Sequence, residues 1–88
     1  MKVYVSRVAD KYIYRLSTVD RERIDAAIVK LSKEPPEGDI APVKGQPGLY
    51  RTRVGDFRML WHFENNAYIV ITHIEPRGQI YKKHKGKI

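Results

Sequence analysis

The chain divides by the period of its apolar positions. Val3, Tyr4 and Val5 open it as a β-branched and aromatic run that predicts a short strand over residues 2–6. Ala9, Tyr12, Ile13 and Leu16 then recur at i, i+3, i+4 and i+7, one stripe of a helix. The Ser6 hydroxyl stands where it can cap that helix's first turn. Ile24, Ala27, Ile28 and Leu31 repeat the stripe. Ser17 and Thr18 can cap this second helix, with Asp20 and Glu22 near its positive end and Lys30 and Lys33 near its negative end. Pro35 and Pro36 stop it, since neither has an amide to donate. Two amphipathic helices, joined as a hairpin, thus fill residues 7–34.

Residues 35–48 hold four of the five prolines and read as a loop inside one domain. From Leu49 the period changes to two. Residues 49–54, 57–64 and 67–75 read as three strands, with Gly55-Asp56 and Asn65-Asn66 as hairpin turns. A short last strand around 79–81 and a basic tail over 82–88 complete the order. The predicted fold class is α+β, β-α-α-β-β-β with an optional terminal strand. A mainly antiparallel sheet carrying the helix hairpin on one face buries both apolar stripes.

The first turn fixes a register. Val54 lies opposite Phe57, Arg53 opposite Arg58, Thr52 opposite Met59, Arg51 opposite Leu60 and Tyr50 opposite Trp61. One face then collects Tyr50, Thr52, Val54, Phe57, Met59, Trp61 and Phe63 as core, and the other collects Arg51, Arg53 and Arg58. A two-residue turn at Asn65-Asn66 extends the core face to Tyr68, Val70, Thr72 and Ile74, and sets His73 beside Arg58 on the opposite face. Two arginines facing across strands repel. The pattern makes sense if a phosphate is the missing counter-charge, and arginine's fork suits phosphate oxygens better than lysine does.

Composition and charge narrow the class. Eighty-eight residues, 42% apolar and 31% charged, make one ordinary globular domain over 1–88. The chain lacks cysteine, any apolar run near the ~20 residues of a bilayer span, and a signal-peptide pattern, so a soluble cytoplasmic protein is expected. Residues 1–43 carry eight basic and seven acidic side chains, for +1; residues 44–88 carry nine and three, for +6. A basic half on a small domain is the footprint of a polyanion, nucleic acid foremost.

Leu49-Tyr50-Arg51-Thr52-Arg53-Val54-Gly55-Asp56-Phe57-Arg58, an apolar hairpin, then Ile74-Glu75-Pro76-Arg77-Gly78-Gln79-Ile80-Tyr81 resembles the RelE/ParE toxins of toxin–antitoxin modules. The resemblance covers nearly the whole chain. It implies a ribosome-dependent, metal-free mRNA endonuclease of a type II module, with ribosome and mRNA as targets, a cognate antitoxin as partner and no small-molecule cofactor. It places the catalytic cluster at Arg51, Arg53, Arg58 and Arg77, with Tyr81 as the aromatic member. Two departures stand out: some of the nucleases have lysine where Arg51 and Arg53 stand, and the usual pair of arginines shrinks to Arg77-Gly78, followed by Gln79 in place of glutamate. A ParE-like DNA gyrase inhibitor and a catalytically inactive RNA-binding relative are the alternatives.

Metal-free RNA cleavage needs the 2′-OH deprotonated, the phosphorane's charge stabilised and the leaving 5′-oxygen protonated. Arginines suit the middle task but are poor bases, with a pKa above ~12. Tyr81, His73, His62 and His84 are left for proton transfer. Neither His62 with His73 nor any carboxylate pair has the spacing of a strong metal motif, so none is expected. Lys44, Lys82, Lys83, Lys85 and Lys87 fit nonspecific contact with RNA phosphates. Tyr4, Tyr12, Tyr14, Tyr68 and Trp61 are expected to pack.

Overall fold

The computed structural model describes residues 1–76. Strand β1 (Lys2–Val5) leads into α1 (Arg7–Tyr14) and α2 (Thr18–Leu31), followed by β2 (Asp39–Pro42), β3 (Leu49–Val54), β4 (Phe57–Glu64) and β5 (Tyr68–Pro76). The strands form one sheet in the order β1-β5-β4-β3-β2. Only β1 and β5 run parallel; the other neighbours are antiparallel. The α+β class and the mainly antiparallel sheet are those the pattern predicts.

Both helices start as their serines dictate. The Ser6 hydroxyl accepts from the Ala9 amide at 3.1 Å, and that of Ser17 from the Asp20 amide at 3.2 Å. Helix α2 ends ahead of the prolines, at Leu31, where Ser32 takes the C-cap and its hydroxyl donates to the Val29 carbonyl at 2.6 Å. Ala9 and Ile13 of α1 and Ile24 and Leu31 of α2 are buried with Met59, Trp61, Ile69, Ile71 and Ile74 of the sheet in one core. Trp61 keeps its indole satisfied there, donating from Nε1 to Thr52 Oγ1 at 2.8 Å. A buried N–H left unpaired costs on the order of 1–3 kcal/mol, so the Thr–Trp pair lets a large ring occupy the centre of the core.

Three expectations are corrected. Residues 35–48 are not all loop: β2 pairs with β3 as an edge strand, Ile40 opposite Thr52. Its four residues and terminal proline suit an edge, where one side of the backbone needs no ladder partner. The proline density hid a strand defined mainly by its neighbour.

The second correction concerns register. The β3–β4 pairing is the one read from the turn, from Val54 opposite Phe57 to Tyr50 opposite Trp61. Between β4 and β5, however, Ala67 joins Asn65 and Asn66 in the loop, so Tyr68 faces Glu64 and Ile69 faces Phe63. Both asparagines take the left-handed backbone expected of them, at φ 52° and 55°. The shift buries Ile69 and Ile71 in place of Tyr68 and Val70. A β-bulge then interrupts the ladder: Trp61 faces Ile71 and Leu60 faces His73, leaving Thr72 over. Ile71 and Ile74 are three residues apart, so an unbroken strand would turn one of them outward. The extra residue lets both enter the core. Its polar groups are satisfied locally, since Thr72 Oγ1 donates to the Leu60 carbonyl at 3.2 Å and the Ser6 hydroxyl donates to the Thr72 carbonyl at 2.7 Å.

Third, two tyrosines expected to pack stay outside the core. Tyr14 is 78% exposed, with the Arg21 guanidinium 5.5 Å from its ring centre, and Tyr4 is 50% exposed.

Candidate nucleic-acid interface

Arg51, Arg53 and Arg58 alternate with core residues, Thr52 between the first two and Met59 after the third. They therefore stand on the sheet face turned away from the helices. Cross-strand pairing sets Arg53 directly opposite Arg58, as the turn predicts. The outer neighbours of that pair differ from expectation. Asp39 on β2 faces Arg53, and the loop residue Ala67 and the bulge together carry Glu75 rather than His73 opposite Arg58. The row thus reads acid, base, base, acid across four strands.

The idea that a phosphate is the whole missing counter-charge is corrected accordingly. Arg51 Nη1 donates to Asp39 Oδ1 at 3.2 Å and to the Asp39 carbonyl at 2.8 Å. Asp39 is largely exposed, so this ion pair contributes at most about 1 kcal/mol and orients Arg51 more than it neutralises it. Arg53 is half-buried, and its Nε has no hydrogen-bond partner among the described residues. Two guanidinium-bearing residues thus stand opposite one another, with Asp39 and Glu75 on their flanks among the described residues.

His73 is exposed on this same face, beside Leu60 instead of Arg58. His62 also faces outward, its Nε2 2.9 Å from Glu64 Oε2. Lys44 is exposed in the link between β2 and β3, at the far end of the β3–β4 hairpin from Arg53 and Arg58, so the fold does not bring it to the arginines. Arg77, Tyr81, Lys82, Lys83, His84, Lys85 and Lys87 lie outside the described residues, as does the expected strand at 79–81. Asp39 and Glu75 were missed as members of the site. Glu75 sits inside the family-like motif, but the three-residue loop and the bulge together give it its position; Asp39 carries no signal until β2 is placed.

Replacing Glu75 by Gln removes a negative charge from the row. An opposed charge pair across strands is worth about 0.2–1 kcal/mol, so retention of a polyanion probe, heparin, is expected to rise by up to roughly fivefold at low salt and less at high salt. Filter binding at two ionic strengths measures it.

Tyr12 packs from α1 toward this end of β5, its ring 6.2 Å from that of Phe57. Burial pushes its phenol above the usual value of 10.0, with the Glu75 and Asp20 carboxylates adding to the rise. The protonated phenol is therefore favoured in the folded chain. Its stabilising effect is whole below pH 10 and is lost as pH climbs through the raised folded value. Tyr12→Phe is expected to flatten the fall in urea midpoint above about pH 10 and to leave neutral pH little changed.

No protein-family model matches the sequence, and no curated protein matches it either. Solved structures do. A chain of the archaeal RelE–RelB complex from Pyrococcus horikoshii OT3 is 26% identical, with a TM-score of 0.73 over 88% of this chain and 94% of that one. The isolated E. coli RelE toxin is similar at a TM-score of 0.72 and 14% identity, over 98% and 96% of the two chains. The YoeB/ParE toxin from Agrobacterium tumefaciens gives 0.71 at 17% identity, over 86% and 98%. The chain has the RelE/ParE superfamily fold, in agreement with the motifs that pointed to it.

Proposed function

We propose that this chain is the toxin of a type II toxin–antitoxin pair, a cytoplasmic single-domain endoribonuclease that cuts mRNA on the ribosome. The observation that carries the reading is the outward face on which Arg53 meets Arg58 with Arg51 alongside. Such a cluster stabilises the charge that builds on phosphorus as the 2′-oxygen attacks and the 5′-oxygen leaves. The 2′-OH proton goes to a base and the 5′-oxygen takes one from an acid. His73, exposed on the same face, and Tyr81 are the candidates for those roles, and Arg77 for a fourth cation. Lys82, Lys83, Lys85, Lys87 and Lys44 supply general attraction to RNA phosphates. The arginine stabilisation described here requires no cofactor.

Similarity to chains from RelE–RelB complexes supports a cognate antitoxin as partner. A second reading, inhibition of DNA gyrase, is favoured by the likeness to the YoeB/ParE toxin and by the acids flanking the arginine pair. Induction of the chain in cells separates them. Primer extension on mRNA and plasmid supercoiling are read from one culture: cut mRNA with normal supercoiling is expected, and intact mRNA with relaxed plasmid favours the second reading. RNA binding without cutting marks an inactive relative.

A further inference from the structure

The open face does not end at the arginines. Pairing sets successive rows across it: Asp39, Arg53, Arg58 and Glu75; then Arg51, Leu60 and His73; then His62, Val70 and Tyr4 on β1. Tyr4 is half exposed, and the Tyr68 ring meets it edge-on at 5.0 Å between centres. Lys2 lies exposed two residues before it on the same strand and face. With strands ~4.8 Å apart and ~3.3 Å per residue along them, Tyr4 stands roughly 20 Å diagonally from Arg53. That distance is a few extended nucleotides.

We propose that Tyr4, braced by Tyr68, is a stacking platform for an unpaired base of the same RNA strand whose backbone crosses the arginines. The inference rests on the RNA reading above and adds a binding residue to it. Single-stranded nucleic acid is held by a cationic track joined to aromatic faces, because every base offers a π-surface whatever its sequence. Here the track and the ring share one face. Tyr4 is not consumed by the core, and the edge-on contact fixes its ring while leaving surface for a base. A tyrosine also loses little conformational freedom on binding, having two side-chain torsions. Lys2 is in reach of the phosphate next to the stacked base. Charge decides between occupants: Arg51, Arg53 and Arg58 ahead of Tyr4 outnumber the flanking Asp39 and Glu75, and that excess favours a polyanion, so a base is placed here and an apolar protein side chain is an outcome to be excluded.

The test uses the full chain and ribosomes programmed with a short mRNA whose 2′-oxygen at the cleavage position is methylated. Dissociation constants are measured for wild type, Y4A, Y4F and R53A/R58A. An abasic residue is then moved through the mRNA one position at a time. Y4A is expected to bind about tenfold more weakly, the scale of one lost base–aromatic stack, while Y4F stays near wild type. One abasic position should weaken wild type to the same degree and add nothing in Y4A. The abasic scan with wild-type protein stands even if Y4A folds poorly. Unchanged binding by Y4A, or loss at no particular mRNA position, overturns the platform while R53A/R58A still weakens binding. Failure of wild type to bind, or R53A/R58A binding like wild type, removes the RNA reading and the platform with it.

Discussion

Alanine at both Arg53 and Arg58 is expected to slow cleavage of ribosome-bound mRNA by roughly a thousandfold while leaving the fold intact. Removing one preorganised donor to a developing oxyanion costs on the order of a hundredfold to a thousandfold. Here two adjacent guanidinium groups go together. The substitution also turns a neutral row into a negative one, since Asp39 and Glu75 remain on the flanks. Stability should hold or rise slightly, because like charges facing across strands oppose folding. Cleavage is followed by primer extension in a reconstituted translation reaction, with the melting temperature measured alongside. Lysine at both positions separates charge from geometry: it keeps the positive charge and loses the planar fork, so recovery is expected to be partial. Equal cutting by wild type and the alanine pair would remove the proposed site.

The largest stability effect is expected at Trp61. Its side chain is 1% exposed, lies stacked on Tyr50 at 4.9 Å and meets Phe63 edge-on at 5.3 Å. Trp61→Ala deletes these contacts and the indole donor together, at about 3–5 kcal/mol for an aromatic-to-alanine change in a core. Domains have only about 5–15 kcal/mol in total, and small ones sit near the bottom of that range. A large unfolded fraction is the predicted result, read from urea denaturation by circular dichroism, since the variant loses the chain's single tryptophan. Thr52→Val tests the polar part alone. It leaves Nε1 buried without an acceptor, at on the order of 1–3 kcal/mol. Because Trp61 lies between Leu60 and His62 on β4, loosening it also loosens the strand that carries Arg58. A Trp61→Ala cost below about 1 kcal/mol would mean that the core is not the one described.

Much of the fold was legible because local chemistry and tertiary packing agree. Ser6 and Ser17 cap their helices by short-range hydrogen bonds, and Ile24 and Leu31 face inward because 3.6 residues make a turn. The β3–β4 register followed from a two-residue turn at Gly55-Asp56, so the arginine face could be read in advance. The β4–β5 register could not. Two asparagines fix a turn's backbone conformation but not whether Ala67 joins the loop, and nothing local announces a bulge at Thr72. The choice is made by burial of Ile69, Ile71 and Ile74 in one core with Ala9, Ile13, Ile24 and Leu31, residues distant along the chain.

The candidate site divides along the same line. Its three cations follow from alternation on a hairpin, a property of neighbouring residues. Its two flanking acids and the placement of His73 depend on which strand lies beside which and on two extra residues, Ala67 in the loop and Thr72 at the bulge. The sequence by itself determined the helices, the turn and the side on which Arg51, Arg53 and Arg58 stand, since these need only backbone periodicity. Tertiary structure alone decided that Asp39 and Glu75 join them and that Tyr4 shares their face. A position set by packing between strands is a sum over many weak, long-range contacts, and no short segment contains it.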